Sequence, residues 1–118
     1  MGEKTYFGSC HCQRVRYQVN LDIKEASACN CSLCGRTGWL LAFTPEANFK
    51  LLAGEDALTD YQFNRKHLHH PFCSTCGVRS FSRGPAPDGT VWCAINLRCL
   101  EDFDAEALPV KRIDGRKL

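Results

Sequence analysis

The chain has 118 residues, 44% hydrophobic and 24% charged, which fits one ordinary globular domain over residues 1–118 and excludes a disordered or multidomain protein. A formal net charge of +2 gives no bulk attraction to nucleic acid, and no apolar run is long enough to span a bilayer. The departure from the ordinary is nine Cys.

In chain order, Gly8 to Cys12 is a short segment with two Cys one residue apart. Val15-Arg16-Tyr17-Gln18-Val19 alternates strictly between apolar and polar and reads as a half-buried strand, with Asn20 and Asp22 as turn residues after it. Cys29 to Gly38 is compact and rich in Cys and Gly. Trp39 to Thr44 reads as a buried strand stopped by Pro45, and Phe49 to Ala53 as a strand ended by Gly54. Leu58 to Phe63 is a further strand, and Asn64-Arg65-Lys66 a turn into His67 to Phe72. A second Cys knuckle runs from Cys73 to Gly77, and Val78 to Ser82 is short and strand-like. Gly84 to Gly89 is a loop by composition, and Val91 to Leu97 is a strong strand. Beyond Leu100 the sequence is mixed, with a short helical turn expected over Asp102 to Ala107. Many short strands and few helix signals predict a mainly β fold.

The first twenty residues hold no apolar run of the signal-peptide kind, so the expected location is the cytoplasm, where thiols stay reduced. An odd number of Cys also fits a disulfide framework poorly. Metal is therefore the expected use. Seven ionised thiols and two zinc ions would carry the formal charge from +2 to −1.

Seven of the nine Cys fall into three groups: Cys10 and Cys12, then Cys29, Cys31 and Cys34, then Cys73 and Cys76. In the C-x2-C group a tight turn over Ser74 and Thr75 aims both sulfurs at one ion, and Gly77 can take a left-handed backbone. In C-x-C on extended backbone, both side chains face the same side. A structural zinc needs four ligands, and a catalytic one keeps three plus an open position. Joining Cys10 and Cys12 to Cys73 and Cys76 would leave the group of three by itself. Spacing alone also permits Cys73 and Cys76 to pair with two of that group. Cys93 and Cys99 read as small buried hydrophobes.

The segments Gly8-Ser9-Cys10-His11-Cys12, Cys29-Asn30-Cys31-Ser32-Leu33-Cys34, Phe72-Cys73-Ser74-Thr75-Cys76-Gly77 and Ile95-Asn96-Leu97-Arg98-Cys99-Leu100, with the Val15-Arg16-Tyr17 strand, resemble the glutathione-dependent formaldehyde-activating enzyme family, to which centromere protein V is also similar. The resemblance spans about Tyr6 to Gly115. It implies a zinc-stapled β fold of short antiparallel strands, similar to small chaperones of nucleotide-free Rab GTPases. It implies a structural zinc on Cys10, Cys12, Cys73 and Cys76, and a catalytic zinc on Cys29, Cys31 and Cys34. The implied activity is of the carbon-sulfur lyase type, joining glutathione and formaldehyde as S-hydroxymethylglutathione. Two departures stand out: Gln13 occupies a position where family members often have Gly, and His67, His69 and His70 crowd before the second knuckle.

On this reading, zinc on three thiolates suits a fourth soft ligand, which the glutathione thiol would supply. His70 is the candidate proton carrier, against a structural role beside the knuckle. Arg36 is the candidate partner of a glutathione carboxylate, against a solvated surface role. The competing readings are an enzyme or carrier for another thiol or aldehyde, and a non-catalytic zinc-binding interaction module. A nucleic-acid role would need clustered basic residues, and Lys111-Arg112 to Lys117 is only a tail.

Overall fold

The computed structural model describes residues 3–62 and 68–114. The turn expected at Asn64-Arg65-Lys66, together with Phe63 and His67, lies outside the described residues. In chain order the elements are β1 (Lys4–Ser9), β2 (Arg16–Leu21), β3 (Ala26–Cys29), α1 (Cys34–Thr37), β4 (Leu41–Pro45), β5 (Phe49–Ala53), β6 (Leu58–Tyr61), β7 (His70–Cys73), β8 (Phe81–Pro85), β9 (Val91–Asn96) and β10 (Val110–Ile113). Short 3-10 turns occupy Glu46–Asn48, Glu55–Ala57, Leu97–Cys99 and Ala105–Ala107. Among the described residues, no helix is long and apolar enough to cross a membrane.

The strands form three sheets: β1-β2-β5, β10-β3-β4-β9-β8 and β6-β7. The fold is mainly β, as expected, and among the described residues the strand pairs are antiparallel except one. That exception is β10, which lies parallel to β3 with Ile113 opposite Cys29. The sequence beyond Leu100 carries no clear alternation, because β10 is mostly exposed and is held by backbone pairing more than by burial.

The alternation expected over Val15 to Val19 is present, with Val15, Tyr17 and Val19 buried and Arg16 facing solvent, but the strand runs on through Asn20, expected in a turn, to Leu21, because Asn20 and Leu21 pair with Thr5 and Lys4 of β1. The strand expected over Val78 to Ser82 instead begins at Phe81 and runs to Pro85, into residues whose composition reads as loop. Val78 and Ser80 are engaged otherwise. The Val78 carbonyl accepts from Cys73 N–H at 3.0 Å, closing the knuckle, and the Ser80 carbonyl accepts from Asn96 N–H at 2.9 Å. The short turn expected near Ala107 is present, started by Asp104, whose carboxylate accepts from Glu106 N–H at 3.0 Å.

The core lies between the three-stranded and five-stranded sheets. Val15, Tyr17 and Val19 meet Phe81, Cys93, Ile95 and Leu97, all essentially sealed from water. The rings of Tyr17, Phe49 and Phe81 form a cluster, with centroids 5.3 Å apart for Tyr17–Phe49 and 4.6 Å for Phe49–Phe81. Cys93 is part of this core, with its thiol pushed up to about 11 by burial, the behaviour of a small hydrophobe.

Gly8 sits opposite Tyr17 in the β1–β2 register, and a Cβ there would fall among the phenol ring atoms. The ring is wedged against Phe49 and Phe81 and cannot retreat. Gly8→Ala is therefore expected to destabilise the protein by about 2–3 kcal/mol through overpacking, measured by chemical denaturation.

Candidate functional site

Two knuckles converge first. Cys10 and Cys12 follow β1, and Cys73 ends β7 with Cys76 three residues on. Their four sulfurs lie within 4.8 Å of one another. Cys10 Sγ to Cys12 Sγ and Cys12 Sγ to Cys73 Sγ are both 3.6 Å. A tetrahedron with zinc–sulfur bonds of about 2.3 Å has edges of about 3.8 Å, so the donor set fits zinc. Cys10 Sγ accepts from Val15 N–H and Cys73 Sγ from Thr75 N–H, both at 3.4 Å. Gly77 adopts φ 79° and donates to Cys73 O at 2.7 Å, the left-handed turn expected of this knuckle.

The thiols of this cluster separate in acidity. At Cys76, burial is outweighed by the backbone N–H groups of Cys12 and Val78, and the pKa falls to about 6. At Cys12, the backbone N–H of Arg14 is outweighed by desolvation and by the sulfurs of Cys73 and Cys10, and the pKa rises to about 11. A cluster that must lose its protons to bind metal thus begins losing them near neutral pH.

The second cluster comprises Cys29 at the end of β3, Cys31, and Cys34 at the start of α1, again with all sulfurs within 4.8 Å of one another. Among the described residues no fourth His, Cys, Asp or Glu joins them. Cys31 Sγ accepts from Cys34 N–H at 3.3 Å, and Cys34 Sγ accepts from the Trp39 indole Nε1–H at 3.2 Å. Burial pushes the Cys34 thiol up to about 12 despite that indole bond. At Cys31, burial is outweighed by the N–H groups of Cys34 and Leu33, and the thiol falls below its ordinary value. Asn30, inside the cluster, is clamped to the last strand: its N–H donates to Ile113 O at 3.1 Å and its side chain to Asp114 at 2.9 Å.

An open cavity of about 530 Å³ is lined by residues next to both clusters in the chain, Leu33 beside Cys34 and Gly77 beside Cys76. Leu33 comes from one knuckle, Arg79 follows the other, and Trp39, Tyr61 and Phe72 supply apolar wall. The Arg79 guanidinium lies 4.2 Å above the Trp39 ring. Burial lowers its pKa, and the sulfurs of Cys34 and Cys31 counteract that. Asn96 fixes the Arg79 backbone: its Nδ2 donates to Arg79 O at 3.0 Å, while its Oδ1 accepts from Arg98 N–H at 3.1 Å.

Sequence reasoning did not single out Arg79, Trp39 as a wall of the cavity, or Asn96. A usable signal existed for Arg79, a cation two residues past the Gly that closes a metal knuckle. Arg36 sits on α1, exposed, with Nη1 donating to Ser32 O at 2.8 Å, and it does not line the cavity. Its guanidinium stabilises its own knuckle. His70 lies on β7 with both ring nitrogens sealed from solvent. Burial, then the charge of Arg79, lowers its pKa to about 4, which keeps the ring neutral near pH 7 and weighs against its reaching a substrate proton. His69 instead forms an exposed 2.6 Å pair with Asp60. Cys99 is half-buried, and burial raises its pKa.

Two cysteine clusters on a small β scaffold, one with four sulfurs and one with three beside a cavity, define a protein built around metal-type donor sets. The chain belongs to the glutathione-dependent formaldehyde-activating enzyme family, whose pattern it matches over residues 5–113. Its fold is also similar to the crystal structure of a Rhodobacter sphaeroides protein from a structural genomics programme. The two share 28% identity at a TM-score of 0.78, over 89% of this chain and 99% of the other.

Gln13 carries a backbone cost. Gln13 stands at φ 69°, in the left-handed region, where its N–H donates to Cys10 O at 3.2 Å and closes the first knuckle. Gln13→Gly is expected to raise stability by about 0.5–1 kcal/mol, strain relief exceeding the added chain entropy, as read by urea denaturation.

His70 yields a pH signature. Its folded pKa of about 4 lies below the ordinary 6.5, so the unfolded chain binds the extra proton. The stability this leaves intact at pH 7 is lost as pH falls below 6.5. Between pH 7 and pH 5 the native protein should lose about 1–2 kcal/mol more than His70→Gln does, in paired denaturation curves.

Proposed function

We propose that this protein is a zinc enzyme of thiol–aldehyde adduct chemistry, joining glutathione and formaldehyde as S-hydroxymethylglutathione. The observation that carries the reading is the contrast between the clusters: four sulfurs in one, and three in the other beside a cavity. Cys10, Cys12, Cys73 and Cys76 fit a structural zinc that clips the N-terminal strand to the middle of the chain. Cys29, Cys31 and Cys34 fit a zinc with one position left for a ligand.

A metal on these three sulfurs would lower the pKa of a thiol that joined it, which is the chemistry it supplies. The remaining work falls to this chain. The Trp39 indole N–H and the Cys34 N–H hold Cys34 and Cys31 in fixed orientation. The apolar walls offer contact surface to the substrate body. The substrate sulfur forms a bond to the formaldehyde carbon, the carbonyl π pair passes to oxygen, and that oxygen takes up the proton the thiol has lost. No buried base is required for this exchange, which agrees with the sealed, neutral His70.

Cobalt-loaded protein is the direct test. Glutathione should change the ligand-field spectrum, and Cys31→Ser should abolish that change while leaving one tightly held metal per chain and an intact fold. Turnover by the Cys31→Ser variant should fall by at least about a hundredfold, followed by NMR of labelled formaldehyde. A spectrum indifferent to glutathione, or a Cys31→Ser chain that unfolds, would assign the second site to structure and favour a non-catalytic interaction module.

A further inference from the structure

We infer that Arg79, seated on Trp39, makes one wall of this cavity a carboxylate subsite, so that the molecule it takes sets an anionic carboxylate against the guanidinium beside the apolar walls. The inference rests on the cavity serving as the substrate site of the proposed reaction.

Three observations carry it. First, a half-buried guanidinium demands a counter-charge; the sulfurs of Cys34 and Cys31 offset its burial in part, and among the described residues no carboxylate pairs with it. Its Nε and Nη2 are shut off from water without a hydrogen-bond partner, which leaves Nη1 as the donor for the cavity. Second, the cation is held at a set place. Its flat face lies 4.2 Å over Trp39, its backbone is tied by Asn96, and the same indole bonds Cys34 Sγ at 3.2 Å. One ring thus fixes the distance between the cation and the cysteine cluster. Third, most of the remaining wall is apolar, with Leu33, Trp39, Tyr61 and Phe72 outnumbering the polar Thr37 and Asn96. A cavity of about 530 Å³ suits a small molecule, and its one described cation beside such walls selects a carboxylate over a neutral or cationic head group.

The test separates this subsite from the thiol chemistry by using probes without sulfur. Titration calorimetry of the metal-loaded full chain should show 3-phenylpropionate binding about tenfold more tightly than 3-phenylpropionamide, which has the same shape without the charge. Arg79→Gln and Arg79→Met should erase that preference, and Arg79→Lys should keep part of it. Equal affinities for acid and amide, or no binding of the acid, would overturn the inference without recourse to any variant. That result would leave Arg79 only to balance the charge of the cysteine sulfurs. If the acid is preferred but glutathione leaves the cobalt spectrum unchanged, the subsite stands and the adduct reaction falls. If glutathione changes the spectrum while acid and amide bind alike, the reaction stands and the subsite falls.

Discussion

Four sulfurs gathered from two ends of a 61-residue separation are the constraint on which this architecture turns. The hydrophobic core is modest for 118 residues, and the small β6-β7 sheet joins the five-stranded one through a short bridge between His69 and Arg83. Bringing β1 and β7 to one point closes a long loop, which is where a cross-link removes the most freedom from the unfolded chain. The backbone is already shaped for it, through the left-handed turns at Gln13 and Gly77 and the N–H groups aimed at sulfur. Gln13 holds that shape under strain. The clip must therefore outweigh a local preference for another conformation.

The two clusters are not independent. The chain leaving the first passes through Gly77 to Arg79, and Arg79 lies on the indole that bonds Cys34 of the second. Asn96 ties the same stretch to the end of β9 and to the turn at Leu97–Cys99. The segment that leaves one cluster thus sets Arg79 on the indole that bonds the other. The burial of His70 belongs to this arrangement: the imidazole packs near Arg79 and stays neutral, which spares the interior a second positive charge.

Much of the fold was legible in the sequence. The alternation of β2, the β-rich run of β9 and the boundaries of β5 follow from local pattern, because each buries one face in a single layer. The cysteine groupings follow from spacing and family likeness, and the structure brings together the same two sets. What escaped was long-range. Arg79 and Trp39 are 40 positions apart, and neither has a local signature of its role. β1 and β10 are mostly exposed and carry little alternation, so their pairing shows only in three dimensions. Arg36 and His70 drew notice as polar residues next to cysteines. Sequence could not show that one caps its own knuckle and the other is sealed behind the sheet.

The parallel placement of β10 has a consequence for the order in which the protein can become complete. Every cysteine precedes residue 100, yet Cys29 sits on a strand whose outer edge is covered only by Val110–Ile113, and Asn30 is fastened there too. During synthesis the sulfurs of the open cluster would emerge long before the strand that steadies them. For that interval a growing chain could gather the sulfurs of its four-sulfur clip, all of which precede Val78, while the three-sulfur cluster lacked its flanking strand. Metal acquisition on the ribosome would then be sequential, with the scaffold first and the cavity-facing position last.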